Sequence, residues 1–195
     1  MIRVYILARE CSNVKYATST EVIISETQPS QDSAVPPEPG AMTIVAWSGD
    51  LDRVWPQLIL ASTGAAYGMQ VTVFFTFWGL FSLVREDVRI TGDNWMTKML
   101  SAVNAPGMDR TKLSKMNMGG MGPRMMRSLA DRHNVAGPTQ LLEVCKDLDV
   151  NLMPCQMTMD LMGLTQKDLI SGLSEPIGAA TALSAMQRSS INLFI

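Results

Sequence analysis

Cys155 closes the apolar run Val150-Asn-Leu-Met-Pro-Cys155 and is followed by Gln156, Met157 and Thr158. Read as a strand tip just ahead of a helix that begins near Thr158, this is a position for thiol chemistry. The partial positive charge of a helix start favours the thiolate, which is the nucleophilic form of cysteine. A small buried hydrophobe is the competing reading of the same residue. Cys145 has the opposite pattern, since it shares a helical face with Leu141 and Leu148 and reads as core. Cys11 has no recognisable supporting site, and the lone His133 sits in a polar stretch. With no second histidine, neither a histidine metal site nor a transferred triad is offered.

Two further strand ends carry short polar-glycine or aromatic-glycine groups. These are Ser48-Gly49-Asp50 after Met42–Trp47, and Phe77-Trp78-Gly79 at the end of Val71–Phe77. In an open α/β sheet, ligands bind beyond the carboxyl ends of the strands, so these residues join Cys155, Gln156 and Met157 as candidate substrate contacts. A third group lies in the segment Lys115-Met-Asn-Met118-Gly119-Gly120-Met-Gly-Pro-Arg124. Its glycines permit positive φ and close backbone approach, so N–H groups there could cradle an anion. Six basic residues (Arg110, Lys112, Lys115, Arg124, Arg127, Arg132) face only Asp109 and Asp131 in this region. No Walker motif is present, because no Gly-Lys-Ser/Thr follows the glycines. Met116, Met118, Met121, Met125 and Met126 are either soft ligands for Cu(I) or an adaptable apolar surface, and the surface reading is preferred.

The elements that must position these groups alternate. A strand at Met42–Trp47 leads to a helix capped by Asp50 and running through Gly64, with Gly68 as its stop. Val71–Phe77 is β-branched and aromatic, hence a strand buried on both faces. A helix begins at Leu80–Val84, another runs from Pro138, and Val150–Gln156 is the next strand. A helical turn at Thr158–Leu161, a start at Thr165-Gln-Lys-Asp168 with capping-box spacing, a small-residue helix Gly178–Gln187 and a terminal strand Ile191–Ile195 follow. Strand–helix alternation predicts a three-layer α/β/α domain over residues 41–195, with a mainly parallel sheet of about five strands. Residues 1–40 read as an N-terminal extension holding two short strand-like runs, Val4–Leu7 and Val22–Ile24. It ends in a proline-rich linker from Glu26 to Gly40 that holds four of the ten prolines.

The chain has 195 residues, 47% of them hydrophobic and 17% charged, with a net charge of −2. That composition excludes a disordered chain and offers no global polycation to nucleic acid. Three cysteines are too few for a disulfide framework, so a reducing, cytoplasmic setting is expected. Sixteen methionines stand out, twelve of them between Met96 and Met162. From Val54 to Val84 thirty-one residues carry no charge, which raises a membrane-spanning reading. Pro56, Gly64, Gly68 and Gln70 interrupt that run and its period changes at Gly68, so a buried helix and a buried strand are favoured.

Four separated segments resemble the DsrE/DsrF-like sulfur-carrier family: SGDLDRVWPQLILASTGAAYGMQVTVFFTFWGL, LSKMNMGGMGP, LMPCQMTMDLMG and the terminal INLFI. The likeness is to its Met-rich branch, often labelled peroxiredoxin family protein, and it spans Met42 to Ile195. The resemblance implies a DsrE-type α/β/α fold, homo- or hetero-oligomers, and one cysteine carrying sulfane sulfur as a persulfide or thiosulfonate. That cysteine corresponds to Cys155. It implies no cofactor or metal, and it implies partners that donate and accept sulfur, of the TusA-like or rhodanese-like kind. Residues 1–40 are too short to be either domain. Peroxidase turnover normally needs a resolving thiol, and none is evident. The alternatives are a non-enzymatic binding module, either a Met-rich Cu(I) site or a membrane-associated adaptor, or a structural subunit of a hetero-oligomer.

Overall fold

Four strands, every neighbouring pair parallel, form the sheet of the computed structural model, which describes residues 40–88 and 106–195. They are β1 (Ala41–Ala46), β2 (Gln70–Phe75), β3 (Asn151–Pro154) and β4 (Ile191–Phe194), in the order β3-β2-β1-β4. The sheet thus has four strands among the described residues rather than about five. Cys11, the two short runs before it and after it, and most of the expected extension fall outside the described residues.

Side chains alternate across the pleat, and the alternation sorts the sheet into two faces. Met42, Ile44 and Ala46 of β1, Val71, Val73 and Phe75 of β2 and Leu152 of β3 enter the main core. On that side lie α1 (Leu51–Ala66) and α3 (Pro138–Asp147), which pack on each other. Between these two in sequence comes α2 (Met121–Arg132). Phe75, Ile44, Leu51, Leu58 and Leu80 are fully enclosed, each worth about 1.5–3 kcal/mol of burial. Gly64 lets α1 lie close on the sheet, since a Cβ there would stand 2.5 Å from Met42 Cε.

The opposite face is smaller. Val45 and Phe74 point there and pack with Ala182 of α5 (Ala179–Arg188), which forms the third layer. A hydrogen bond of 2.7 Å between the Thr43 and Ser189 hydroxyls ties the end of α5 to β1.

Several element boundaries depart from the sequence expectation. The first helix continues two residues past Gly64, to Ala66, and Gly68 ends it with φ +88°. The second strand stops at Phe75, and a 3-10 helix at Phe77–Leu83 replaces the α-helix expected from Leu80. The start at Thr165 is a single 3-10 turn, Gln166–Asp168, although Thr165 does donate both its N–H and its hydroxyl to the Asp168 carboxylate at 2.7 Å. Helix α2 was not anticipated, because Gly119, Gly120, Gly122 and Pro123 crowd its start. Pro123 is tolerated there, since first-turn N–H groups have no intrahelical acceptor anyway. The uncharged run Val54–Val84 is divided between α1, β2 and the 3-10 helix, and no helix among the described residues is long and apolar enough to cross a membrane.

Candidate functional site

Three chain segments leave the carboxyl edge of the sheet side by side, and hydrogen bonds between them fix their order. Thr76 N–H donates to the Ala46 carbonyl at 2.9 Å, Gly79 N–H to that of Trp47 at 3.1 Å, and Cys155 N–H to that of Phe75 at 2.9 Å. The exits of β1, β2 and β3 therefore form one continuous rim.

Cys155 is the N-cap of α4 (Gln156–Met162), so the helix begins two residues earlier than Thr158 and immediately follows the thiol. Its backbone is extended (φ −80°, ψ 115°), and its side chain makes no capping hydrogen bond. By the alternation that began at Met153, the sulfur belongs to the smaller face. It packs there with Val45, Phe74 and Ala182, and with the half-buried Met153, Ile177 and Met186. Cys155 as a whole is 5% exposed. A strap covers this end of the strand, because Ile177 N–H donates to the Pro154 carbonyl and Gln156 N–H to the Ile177 carbonyl, both at 2.9 Å. Cys155 thus sits at the rim by its backbone, while the residue itself is buried.

The two aromatic residues of the second exit divide between core and solvent. Trp78 packs against the main core, stacks on Phe81 at 5.9 Å and meets Phe77 edge-on at 6.4 Å. Phe77 is half exposed and holds φ +47°, a strained conformation for a phenylalanine. The Thr158 hydroxyl maintains that bend, accepting from Phe77 N–H at 3.1 Å and bonding the Thr76 hydroxyl at 3.2 Å. Thr158, Phe74 and Ala182 escaped the sequence reading. Phe74 left no polarity signal, because β2 is apolar on both faces.

The other candidate contacts also make structural contacts at the rim. Gly49 and Gly79 let the first two exits touch. A Cβ on Gly79 would overlap the Ala46 carbonyl oxygen, and one on Gly49 would stand 2.5 Å from that of Trp78. Ser48 is buried and donates to the Asp50 carboxylate at 3.3 Å, which leaves Asp50 as N-cap of α1 without a side-chain capping bond. Gln156 donates to Asp160 at 2.7 Å across one helical turn, and Met157 is 69% exposed.

Met118, Gly119 and Gly120 form a 3-10 turn with φ of +43°, +65° and +93°. The Gly120 N–H is spent on the Asn117 carbonyl at 2.7 Å, so it is not offered to an anion. Bonds fix the preceding segment to α1: Leu51 N–H donates to the Lys112 carbonyl at 2.7 Å, and Ser114 N–H to Asp52 at 2.8 Å. Burial opposes ionisation of Asp52, but the Ser114 bonds outweigh it and hold its carboxyl below the usual range. A cavity of about 210 Å³ between Trp55, Arg127 and Thr139 shares no lining residue with the three exits. Among the described residues no group of three His, Cys, Asp or Glu side chains is placed to hold a metal.

Cys145 lies in the main core, fully enclosed, with its thiol 3.8 Å from the Leu58 carbonyl. It occupies the opposite face of the sheet from Cys155. Burial pushes its pKa up from 9.0 to about 11. A raised native pKa costs stability as the unfolded thiol ionises. Stability should therefore be unaffected by this group below pH 9 and fall as pH climbs from 9.0 toward about 11. Urea titrations across that range should show the decline, and Cys145→Ala should lack it.

The family model for the DsrE/DsrF/DrsH-like family matches residues 38–194. A Bacillus subtilis protein, Uncharacterized protein YrkE, is 40% identical over 153 residues, covering 78% of this chain and 95% of the relative. Sulfur carrier protein DsrE2 of Allochromatium vinosum is 35% identical over 161 residues, covering 79% of this chain and 97% of that protein. With the parallel sheet, the rim and the family match in agreement, the chain belongs to the DsrE/DsrF/DrsH-like family.

Proposed function

We propose that this protein is a sulfur carrier that holds sulfane sulfur on Cys155 and passes it to a partner thiol. The observation that carries the reading is the placement of Cys155 as N-cap of α4 at the carboxyl edge of the sheet, with its sulfur turned to the face closed by α5. Helix geometry leaves the first-turn amides of Met157 and Thr158 without intrahelical acceptors, next in the chain to the sulfur. The 35% identity to a protein named Sulfur carrier protein DsrE2 supports the same role.

The chemistry needs one thiol. The Cys155 thiolate attacks the outer sulfur of a donor persulfide, an S–S bond breaks as another forms, and the donor leaves as a thiolate. An acceptor thiolate then repeats the exchange on the Cys155 persulfide. No electrons are gained or lost overall, so no oxidant enters. A thiosulfonate adduct is the equivalent loaded form when the donor carries that group. Burial slows exchange of the loaded sulfur with bulk thiols, which proceeds as the Ile177 strap or α5 yields. Cys145 takes no part, because it lies across the sheet. Donor and acceptor proteins of the TusA-like or rhodanese-like kind, homo-oligomeric assembly and a reducing cytoplasmic setting complete the reading. Residues 41–195 constitute the relay unit.

Incubation with polysulfide or tetrathionate, followed by intact-mass and peptide analysis, tests it. A persulfide or thiosulfonate on the Cys155 peptide that is discharged by added thiol supports the carrier. An unloaded chain, or an adduct confined to another residue, overturns it.

A further inference from the structure

Helix α2 is turned the wrong way round for a helix of a self-sufficient fold. It rests on the domain through Gly122 and Pro123, which are buried, and through Arg127 and Ala130, which are half-buried. Arg127 reaches down to the Thr111 hydroxyl at 3.2 Å and the Met108 carbonyl at 3.4 Å. At 3.6 residues per turn, Met121, Met125 and Leu129 fall in one stripe with Met126 on its flank. That apolar stripe points outward: the four side chains are 61%, 64%, 50% and 42% exposed. Met116 and Met118, just before the helix, are 69% and 61% exposed.

Charge indicates what the stripe meets. Between Asp109 and Arg132 the chain carries six basic residues against two acidic ones, a net +4. The whole chain carries −2, so the remainder carries −6. Arg124 and Arg132 are exposed on the helix itself. An apolar stripe flanked by arginines on an otherwise acidic molecule suits an anionic lipid surface. The apolar side chains enter the headgroup boundary and the guanidinium groups stay at the phosphates. A symmetric contact between two such helices would set like charges against each other. Unbranched methionine side chains also conform to a fluid surface that presents no fixed pockets.

We propose that α2 is a peripheral membrane-docking element that lays its Met121–Met125–Leu129 stripe flat on anionic bilayers. This docking uses neither Cys155 nor its sulfur, so it stands or falls separately from the carrier reading. Flotation of the full chain with vesicles of phosphatidylglycerol and phosphatidylcholine in equal parts tests it, beside pure phosphatidylcholine vesicles. Binding is expected on the anionic vesicles alone. It should weaken at least about tenfold for Met125→Gln/Leu129→Gln, and similarly for Arg124→Glu/Arg132→Glu. In about 0.5 M salt, where the screening length falls to about 4 Å, it should weaken as well. All four side chains are exposed, so circular dichroism should be unchanged. Absence of vesicle binding overturns the proposal, as does binding indifferent to the Met125/Leu129 replacement. Sedimentation that shows the double glutamine variant dissociating an oligomer, with vesicle binding unaltered, assigns the stripe to a contact between copies. Tighter capture by polyglutamate than by vesicles assigns it to an acidic protein.

Discussion

Cys155→Ser should lose sulfur loading altogether, with adduct formation reduced at least about a hundredfold relative to the unaltered chain. A hydroxyl at the same place is nearly the same size but is not ionised near neutral pH, and no S–S bond can form on it. The fold should survive the change, since Val45, Phe74 and Ala182 would pack around an oxygen much as they do around the thiol. Cys145→Ser is the informative companion. Its side chain lies in the other core, beside the Leu58 carbonyl, so loading should persist at the original level. Mass spectra of the two variants after the same polysulfide treatment decide the matter. Full loading of the Cys155→Ser protein, or loss of loading in Cys145→Ser with the fold intact, would move the sulfur to another residue. Iodoacetamide adds a measure of access: Cys155 should react slowly in the native chain, at a rate set by opening of the cover rather than by reagent concentration.

Gly79→Ala should be the most damaging single methyl group on the rim. The added carbon would overlap the Ala46 carbonyl oxygen and stand 3.3 Å from the Trp47 nitrogen, and both of these are backbone atoms with little room to retreat. Overpacking of this kind costs about 1–3 kcal/mol, and here the upper end is expected. For a chain of this length that corresponds to a fall in Tm of roughly 5–10 °C. The rim itself would be pried open, because Gly79 N–H donates to both the Trp47 and the Thr76 carbonyls at 3.1 Å. Gly119→Ala serves as the contrast. Nothing lies within 4 Å of its Cβ position, and its sole difficulty is φ +65°, so Gly119→Asn should be nearly neutral. Thermal melts of the three variants separate close approach from backbone conformation. A Gly79→Ala melt equal to that of the unaltered chain would mean that the two exits are not held as described.

The fold was readable because its strands are dense in β-branched and aromatic residues and are punctuated by Gly49, Gly68 and Gly79. Placing Cys155 at a strand tip needed no more than the apolar run before it and the helix after it. The side to which its sulfur points was harder to see. Val71–Phe75 is apolar at nearly every position, so the two faces of β2 cannot be told apart by polarity. Met153, Pro154 and Cys155 likewise show no apolar–polar alternation that would mark the outside. The glycines illustrate a different limit. A glycine needed for close approach of two chain segments has the same letter as one needed to admit a ligand, and the close approach at Gly49 and Gly79 shows only in the structure. The face of α2 was hidden for a related reason. A methionine stripe at helical spacing predicts burial, but spacing cannot say whether the burying surface belongs to the same chain.

The sheet separates the two described thiols as a wall separates two rooms. Cys145 and Cys155 stand on its opposite faces, each enclosed by its own set of side chains. Among the described residues, a carrier of the kind proposed would have no second thiol on the same side to receive its sulfur, and an oxidised Cys155 would have none with which to close a ring. On the proposed reading the described domain holds one sulfur group at a time, and a laden chain would wait for a visitor before it could be emptied.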